Sequence, residues 1–272
     1  MGRIVITGAS GQYGRLATQG LIERGRAADL ILMSRTPAKL ADMAALGCEV
    51  RHGDYDEPAS MVSAMTGAER LLLISGTRVG ARVAQHQAAV DAAVAAGVGH
   101  VVYTSFIGID DPANPAEVRH DHIETERLIR ASGLKFTFLR DAHYADAMIL
   151  MAGPGVMASG QWISNAALGK EAMVWRDDCA ACAVAVLTGA GHENRTYDIT
   201  GPELQDFAEV TALMARLTGV PLEYVAVDDE AQYAIFDAMG IPRRPVDDQY
   251  VGAIPWNSDD KIGRASCRER VS

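Results

Sequence analysis

Apolar runs and helical patterns alternate along the first half of the chain. Six short apolar runs predict strands, and segments with apolar residues at helical spacing lie between them. The predicted strands are Ile4–Thr7, Leu30–Met33, Glu49–His52, Leu71–Ile74, His100–Thr104 and Phe136–Leu139. The predicted helices are Gln12–Glu23, Pro37–Leu46, Pro58–Met65, Ala81–Ala96 and Glu117–Ala131. Near-continuous apolar strands indicate burial on both faces, so the pattern predicts an α/β fold with a doubly wound parallel sheet.

The regular alternation ends near residue 140. Glycines and a proline at 153–155, followed by Gly160, predict a loop, and short strands at Thr196–Ile199 and Leu222–Val225 lie among helical segments. Pro242–Pro255 is rich in proline and aspartate and predicts a surface excursion. We therefore expect a core over residues 1–140 and a smaller α+β region over 141–261 that is interwoven with it.

Three glycines spaced three apart follow the first predicted strand and open the first predicted helix. Unpaired N–H groups and the helix dipole favour a phosphate at such a helix N-terminus. Gly8 permits the tight turn, Gly11 lets the backbone approach the phosphates, and Gly14 lets the helix pack close to the strand. Directly after a strand, this spacing predicts a dinucleotide site of the Rossmann fold, with an ordinary strand-to-helix loop as the alternative. The predicted cofactor contacts here are Thr7, Gly8, Ser10, Gly11, Gln12, Tyr13 and Gly14.

The end of the second strand indicates which dinucleotide binds. NAD-binding versions of this fold place a carboxylate there, on the ribose 2′-OH, but the segment 33–39 contains none. Ser34 and Arg35 can instead hydrogen-bond a 2′-phosphate, and Lys39 adds positive charge. The segment therefore predicts NADPH (NADP), while a solvated arginine ahead of a helix is the alternative.

Small and polar residues end the next three predicted strands. Ligands of such sheets lie outside the carboxyl ends of the strands, so these positions are expected to face the cofactor as a set. Each one alone could equally be a loop residue. The strand-end pairs are Asp54-Tyr55, Ser75-Gly76 and Thr104-Ser105.

Composition narrows the class of protein. The net charge of −10 over 272 residues argues against a nucleic-acid surface. Because the first strand begins so early and no apolar run has the length of a membrane span, we expect a cytoplasmic protein without a membrane partner.

Cys179 and Cys182 have redox-motif spacing, but no second pair completes a zinc site, so we predict structural thiols and no metal. The oligomeric state stays open, with a homodimer among the alternatives.

The last residues, 262–272, do not match the preceding chain. They resemble the translation of a sequencing-library adapter, which favours a gene fragment from environmental DNA, a metagenome, that has lost its natural C-terminus. We exclude them from the fold.

Several segments resemble the NmrA-like group of atypical short-chain dehydrogenase/reductases, in particular its NADPH-dependent quinone oxidoreductase 2 type. The likeness runs over roughly residues 2–240. It implies an NADPH-dependent oxidoreductase, with Gly11, Arg35, Ser75 and Thr104 at cofactor positions. The matching segments are Thr7–Gly14, Ser34–Lys39, Leu71–Ser75, Tyr103–Ser105, His122–Glu126 and Leu139–Tyr144.

One absence shapes the expected chemistry. Ordinary short-chain dehydrogenases protonate a carbonyl through a Tyr-x-x-x-Lys pair, and no tyrosine of this sequence has a lysine four residues later. The candidate catalytic residues are Tyr144, His122 and Ser105. His122 could donate a proton or hold the cofactor, or it could fix a helix to the sheet; Tyr144 could donate a proton or simply be packed. Asp141 replaces the asparagine that is common in the group, which bears on substrate preference.

The resemblance, together with these polar residues, implies hydride transfer from NADPH to a small-molecule acceptor, a quinone or a similar electron-poor compound. A quinone needs a dedicated acid less than a ketone does, because its ring stabilises the product oxyanion. Positioning can then carry much of the rate. The alternatives are an NADP-binding redox sensor without turnover and a ketone or enone reductase with an improvised proton donor.

Overall fold

The computed structural model describes residues 2–78, 80–112, 114, 118–166 and 169–238. The strands are β1 (Ile4–Ile6), β2 (Leu30–Ser34), β3 (Glu49–His52), β4 (Arg70–Leu73), β5 (His100–Phe106), β6 (Lys135–Asp141), β7 (Gln161–Ser164), β8 (Lys170–Glu171), β9 (Arg195–Ile199), β10 (Gln205–Asp206) and β11 (Glu223–Ala226). The α-helices are α1 (Gln12–Glu23), α2 (Ala41–Ala45), α3 (Pro58–Met65), α4 (Arg82–Ala95), α5 (Val118–Ala131), α6 (Ala145–Ser159), α7 (Arg176–Thr188), α8 (Phe207–Thr218) and α9 (Asp229–Ala238).

Seven parallel strands form the main sheet in the order β3-β2-β1-β4-β5-β6-β9. The connection order reverses at β1, since β2 lies on one side of it and β4 on the other. In open α/β sheets, this reversal opens a crevice at the carboxyl ends of the strands, where ligands bind.

Alternate residues of each strand pack against different helical layers. Ile4 and Ile6 of β1 are fully buried in one core cluster with residues of α1 and α7. Val5, between them, is fully buried in the opposite cluster with residues of α3, α4 and α5. Burial on both faces explains why the strands are apolar almost without interruption. It confirms the predicted doubly wound α/β fold.

A third, smaller apolar cluster lies in the later part of the chain. Trp162 of β7 and Phe207 of α8 pack with tilted rings whose centroids lie 5.4 Å apart, and Val156 and Val210 belong to the same cluster. β7 pairs with β11 in parallel, and β8 pairs with β10 antiparallel. Because α7 and β9 belong to the main core, this region interleaves with the core along the chain. The domain bounds 1–140 and 141–261 stay predictions.

Two local predictions differ from the structure. The predicted helix Pro37–Leu46 is a 3-10 turn over Pro37–Leu40 followed by the short α2. The prediction of a loop at 153–155 is wrong, because these residues belong to α6 and Pro154 lies inside that helix. Proline removes the hydrogen bond to the carbonyl of Leu150, but Leu150 and Pro154 are exposed on the helix surface, so that carbonyl can be hydrated. The helix ends at Gly160, whose φ of +77° is the left-handed conformation.

Pro242–Pro255 and the tail 262–272 lie outside the described residues. Among the helices that are described, none combines the length and apolar character that crossing a membrane requires.

Candidate functional site

The glycine turn leaves the start of α1 open to a ligand. Gly8 has a φ of +58°, and the N–H of Gly11 closes the turn on the Gly8 carbonyl at 2.9 Å. No side chain caps the helix, and its first turn carries no acidic residue. A Cβ on Gly14 would lie 2.5 Å from the Gly8 carbonyl oxygen and 2.6 Å from Ala9 Cα. The close approach therefore needs glycine, and the first N–H groups of α1 remain available for a phosphate.

The glycine turn is tied to the end of β2. The hydroxyl groups of Ser10 and Ser34 lie 3.1 Å apart, and the N–H of Thr36 donates to Ser34 Oγ at 3.1 Å. Arg35 and Lys39, beside this link, have exposed side chains. Within the described residues, Arg35 has no ion-pair partner, so its guanidinium is available to a 2′-phosphate. These residues fit NADPH.

The loop after β4 is held by side chains from three other elements. The N–H of Ile74 donates to Thr7 Oγ1 and that of Ser75 to Thr104 Oγ1, each at 2.9 Å. The N–H of Gly76 donates to His86 Nε2 at 3.1 Å. These three N–H groups are therefore paired inside the protein, and the Gly76 carbonyl accepts from the Arg82 guanidinium, so the loop is held by its neighbours on both sides. Thr7 and Thr104 are buried, and their hydroxyls position this loop.

His86 was not among the residues predicted from the sequence. Its Nδ1 lies 2.8 Å from Thr125 Oγ1, and that hydroxyl donates to the Asp121 carbonyl, so Nδ1 is the protonated nitrogen. Burial lowers the pKa of His86 to about 3, with the nearby Arg82 charge acting in the same direction. The imidazole is therefore neutral and fixed in one tautomer. The one signal that could have indicated His86 as a site residue was its position on the buried face of α4.

The end of β3 contacts the same loop. The Tyr55 hydroxyl donates to the Ile74 carbonyl at 3.1 Å. Asp54 accepts the N–H of Asp56 at 3.1 Å, so one of its oxygens closes a local turn. Tyr55 thus helps to shape the crevice, and Asp54 lies at its edge.

Ser105 belongs to a buried ion-pair network. Its hydroxyl donates to Glu126 Oε1 at 2.7 Å, and the Arg140 guanidinium donates to both oxygens of Glu126 at 2.9 and 2.8 Å. Arg140 also pairs with Asp110. Since Ser105 and Glu126 are both buried, this geometry favours fixing α5 to β5 and β6 over contact with an acceptor.

His122 is also held in the interior. It is 6% exposed, and its Nδ1 lies 2.8 Å from the Tyr103 hydroxyl. Burial lowers the pKa of His122 well below its ordinary value, and the charge of Arg82 adds to this effect. A neutral, buried imidazole is a poor proton donor at neutral pH. The contacts favour the alternative in which His122 fixes α5 to the sheet.

Tyr144, by contrast, lies next to the glycine turn. Its ring centroid is 6.3 Å from that of Tyr13, whose hydroxyl donates to the Cys179 carbonyl at 2.9 Å. The Tyr144 hydroxyl donates to Asp141 Oδ2 at 2.7 Å. Burial raises the pKa of Asp141 to about 7 and that of Tyr144 well above its ordinary value. The structure therefore brings a phenol and a carboxyl group together beside the predicted cofactor site.

Arg176 connects this cluster to the glycine turn, and no pattern in the sequence indicates it. Its guanidinium donates to Gln12 Oε1, pairs with Asp146 at 2.9 Å and lies 4.8 Å from the Tyr144 ring centroid. The residue begins α7, about 160 residues after the turn. Only the packing of α7 against α1 brings these groups together.

Comparisons with known proteins agree with this geometry. The profile of the NAD(P)H-binding family matches residues 8–190. The chain is 35% identical to quinone oxidoreductase 2 of Escherichia coli, covering 88% of this chain and 82% of that protein. It is 28% identical to an NAD(P)H azoreductase of Xenophilus azovorans, over 90% and 84% of the two chains.

A solved structure of Citrobacter triphenylmethane reductase in complex with NADP(H) superposes with a TM-score of 0.83 and 34% identity, over 88% of this chain and 84% of that one. The likeness to quinone oxidoreductase 2 confirms the resemblance inferred from the sequence. Since the family profile covers most of the chain, this protein belongs to the NAD(P)H-binding family.

Proposed function

We propose that the protein is an NADPH-dependent oxidoreductase that transfers hydride to a quinone or a similar electron-poor acceptor. The observation that carries the proposal is the uncapped start of α1, joined through Ser10 and Ser34 to Arg35. The anion site at the start of α1 matches the pyrophosphate of NADPH, and the cation Arg35, one strand away, matches its 2′-phosphate. The relatives that bear the names quinone oxidoreductase 2 and NAD(P)H azoreductase support the class of acceptor.

The cofactor supplies the hydride when it is bound, and the residues of this chain bind and orient the reactants. We assign the first turn of α1 to the pyrophosphate and Arg35 with Lys39 to the 2′-phosphate. The loop 74–76, fixed by Thr7, Thr104 and His86, is the rigid wall of the crevice. Preorganised walls favour transfer because they hold donor and acceptor in reactive geometry.

The acceptor is proposed to bind between the crevice and residues from the predicted region 141–261. Tyr144 and Arg176 of that region lie against Tyr13 and Gln12 of α1. The third apolar cluster, around Trp162 and Phe207, gives this region a core of its own. A cytoplasmic location and a homodimer also remain proposals, and sedimentation velocity tests the dimer.

Oxidation of NADPH against a panel of quinones, azo dyes, ketones and enones tests the proposal, with NADH in parallel. We expect turnover with quinones and a preference for NADPH. Tight NADPH binding without turnover of any acceptor would contradict an enzyme and favour a redox sensor. Faster reaction of ketones than of quinones would favour a carbonyl reductase instead.

A further inference from the structure

The carboxyl group of Asp141 is buried without a counter-ion. It ends β6, and the residue is 2% exposed. Its Oδ2 accepts the Tyr144 hydroxyl, whereas Oδ1 has no hydrogen-bond partner in the described part of the chain. A buried carboxylate ordinarily needs a cation or several donors to offset its lost hydration. This environment therefore suits a neutral carboxylic acid.

The ionisable groups that face Asp141 do not supply positive charge. Tyr13 comes from α1, Tyr144 precedes α6, and Cys179 comes from α7. Arg176 lies over the Tyr144 ring, but its ion pair is with Asp146. Burial accordingly raises the pKa of the Asp141 carboxyl to about 7, against the interactions with the Tyr144 hydroxyl and the Cys179 thiol, which lower it. Near neutral pH, a large share of the molecules carries the proton.

Protonation reverses the hydrogen bond between the two groups. A neutral Asp141 donates its own proton to Tyr144 Oη across the same 2.7 Å contact. The O–H of Tyr144 is then free to donate to another oxygen. Tyr144 is only half-buried, and its ring lies beside Tyr13 in the first turn of α1. The released donor is thus at the predicted cofactor crevice.

We infer that Asp141 is the proton source of Tyr144, and that the pair protonates the acceptor once it has received hydride. The inference rests on the proposed function. The acceptor oxygen, negatively charged after hydride transfer, takes the proton of the Tyr144 hydroxyl. Tyr144 Oη takes the proton of the Asp141 carboxyl, and Asp141 regains one from solvent. The net change is one hydride and one proton gained by the acceptor, with the cofactor oxidised. Asp141 is a positioning residue that acts through Tyr144.

The test compares two acceptors with different needs for a proton. Reduction of cyclohexenone at its carbonyl carbon gives an alkoxide, which must be protonated, whereas the ring of menadione stabilises its own product. We expect the wild-type kcat for cyclohexenone to fall as pH rises through about 7, because the proton source ionises. Asp141→Asn keeps an acceptor for the Tyr144 hydroxyl but has no ionisable proton.

For Asp141→Asn, we expect about a tenfold loss of kcat on cyclohexenone at about pH 6. This loss is smaller than the roughly 10²-fold or more that is expected when a general acid is removed completely. The decline with pH should disappear, and the loss on menadione should be smaller than the loss on cyclohexenone. Tyr144→Phe should lose at least as much on cyclohexenone. Asp29→Asn, which removes an ion pair with Arg26 ahead of β2, is the matched control and should keep the wild-type pH profile.

Two results separate the inference from the proposed function. If wild-type protein turns over but Asp141→Asn keeps its pH profile on cyclohexenone, the inference is overturned and the oxidoreductase stands. If wild-type protein oxidises NADPH with neither acceptor, the proposed function itself fails. Should Asp141→Asn not fold, carbon-13 NMR of the wild-type carboxyl groups decides. A midpoint for Asp141 near pH 7 supports the inference, and one below about pH 5 overturns it.

Discussion

The burial of Asp141 has a direct consequence for stability, because an ionised carboxyl is costly in this environment. The pKa of Asp141 is raised from its ordinary 3.8 to about 7 in the folded protein. At about pH 3 and below, both the folded and the unfolded states carry the proton, and the group costs nothing. As pH rises from about 4 to about 7, only the unfolded state ionises freely, so the free energy of unfolding decreases. Above about pH 7, Asp141 is ionised in both states, and the full free-energy cost of its buried charge is present.

The difference of about three pKa units corresponds to about 4 kcal/mol at 1.36 kcal/mol per unit. Local relaxation and water penetration reduce such figures, so we expect a gain of about 2–4 kcal/mol for Asp141→Asn at about pH 8. The amide still accepts the Tyr144 hydroxyl and matches the volume of the carboxyl group. At about pH 4, the variant and the wild type should differ by less than about 1 kcal/mol.

Urea unfolding at several pH values measures this difference directly, and thermal scans should show a higher Tm for the variant at about pH 8. Asp42→Asn is the control. Asp42 is exposed, and the hydrogen bond from Arg15 lowers its pKa. Its replacement should therefore lose a little stability at high pH rather than gain it. A difference between Asp141→Asn and wild type that stays constant from about pH 4 to 8 would refute the reasoning.

Three further substitutions test the crevice, and a fourth, in α6, serves as a control. Gly14→Ala places a Cβ 2.5 Å from the Gly8 carbonyl oxygen, so it should cost about 1–3 kcal/mol in urea unfolding and weaken NADPH binding. Gly155→Ala in α6, with no atom within 4 Å of the new Cβ, should instead gain up to about 1 kcal/mol. Arg35→Glu should raise the Kd for NADPH about tenfold or more and leave NADH nearly unchanged in fluorescence titrations; equal losses for both cofactors would mean a general structural role. His86→Phe leaves a backbone N–H of the loop after β4 unpaired and should cost about 1–3 kcal/mol; unchanged urea unfolding would show that this hydrogen bond contributes little.

Periodicity and glycine spacing were sufficient for the architecture of the first half. Strands buried on both faces must be apolar, and the turn at Gly8, Gly11 and Gly14 has a steric requirement that few other sequences satisfy. The helix Gln12–Glu23 was predicted with its observed bounds. The sequence-based prediction was wrong at 153–155. Glycine and proline predict a loop whatever their surroundings, but here they lie in a helix whose exposed surface tolerates them.

Sequence by itself determined the fold class and the dinucleotide cofactor, because the strand pattern and the glycine turn each depend on residues close together in the chain. The cofactor contacts at the strand ends stay predictions. The tertiary structure alone decided what the polar candidates do. It placed His122 and Ser105 in closed internal networks, and it brought Asp141, Tyr144 and Arg176 against α1. The contact of Arg176 with Gln12 joins residues 164 positions apart. The contacts of His122 and Ser105 span about 20 positions but depend on how α5 packs on β5, so no local pattern records them. Burial then set the charge of Asp141, since the cost of dehydrating a carboxylate depends on every element packed around it.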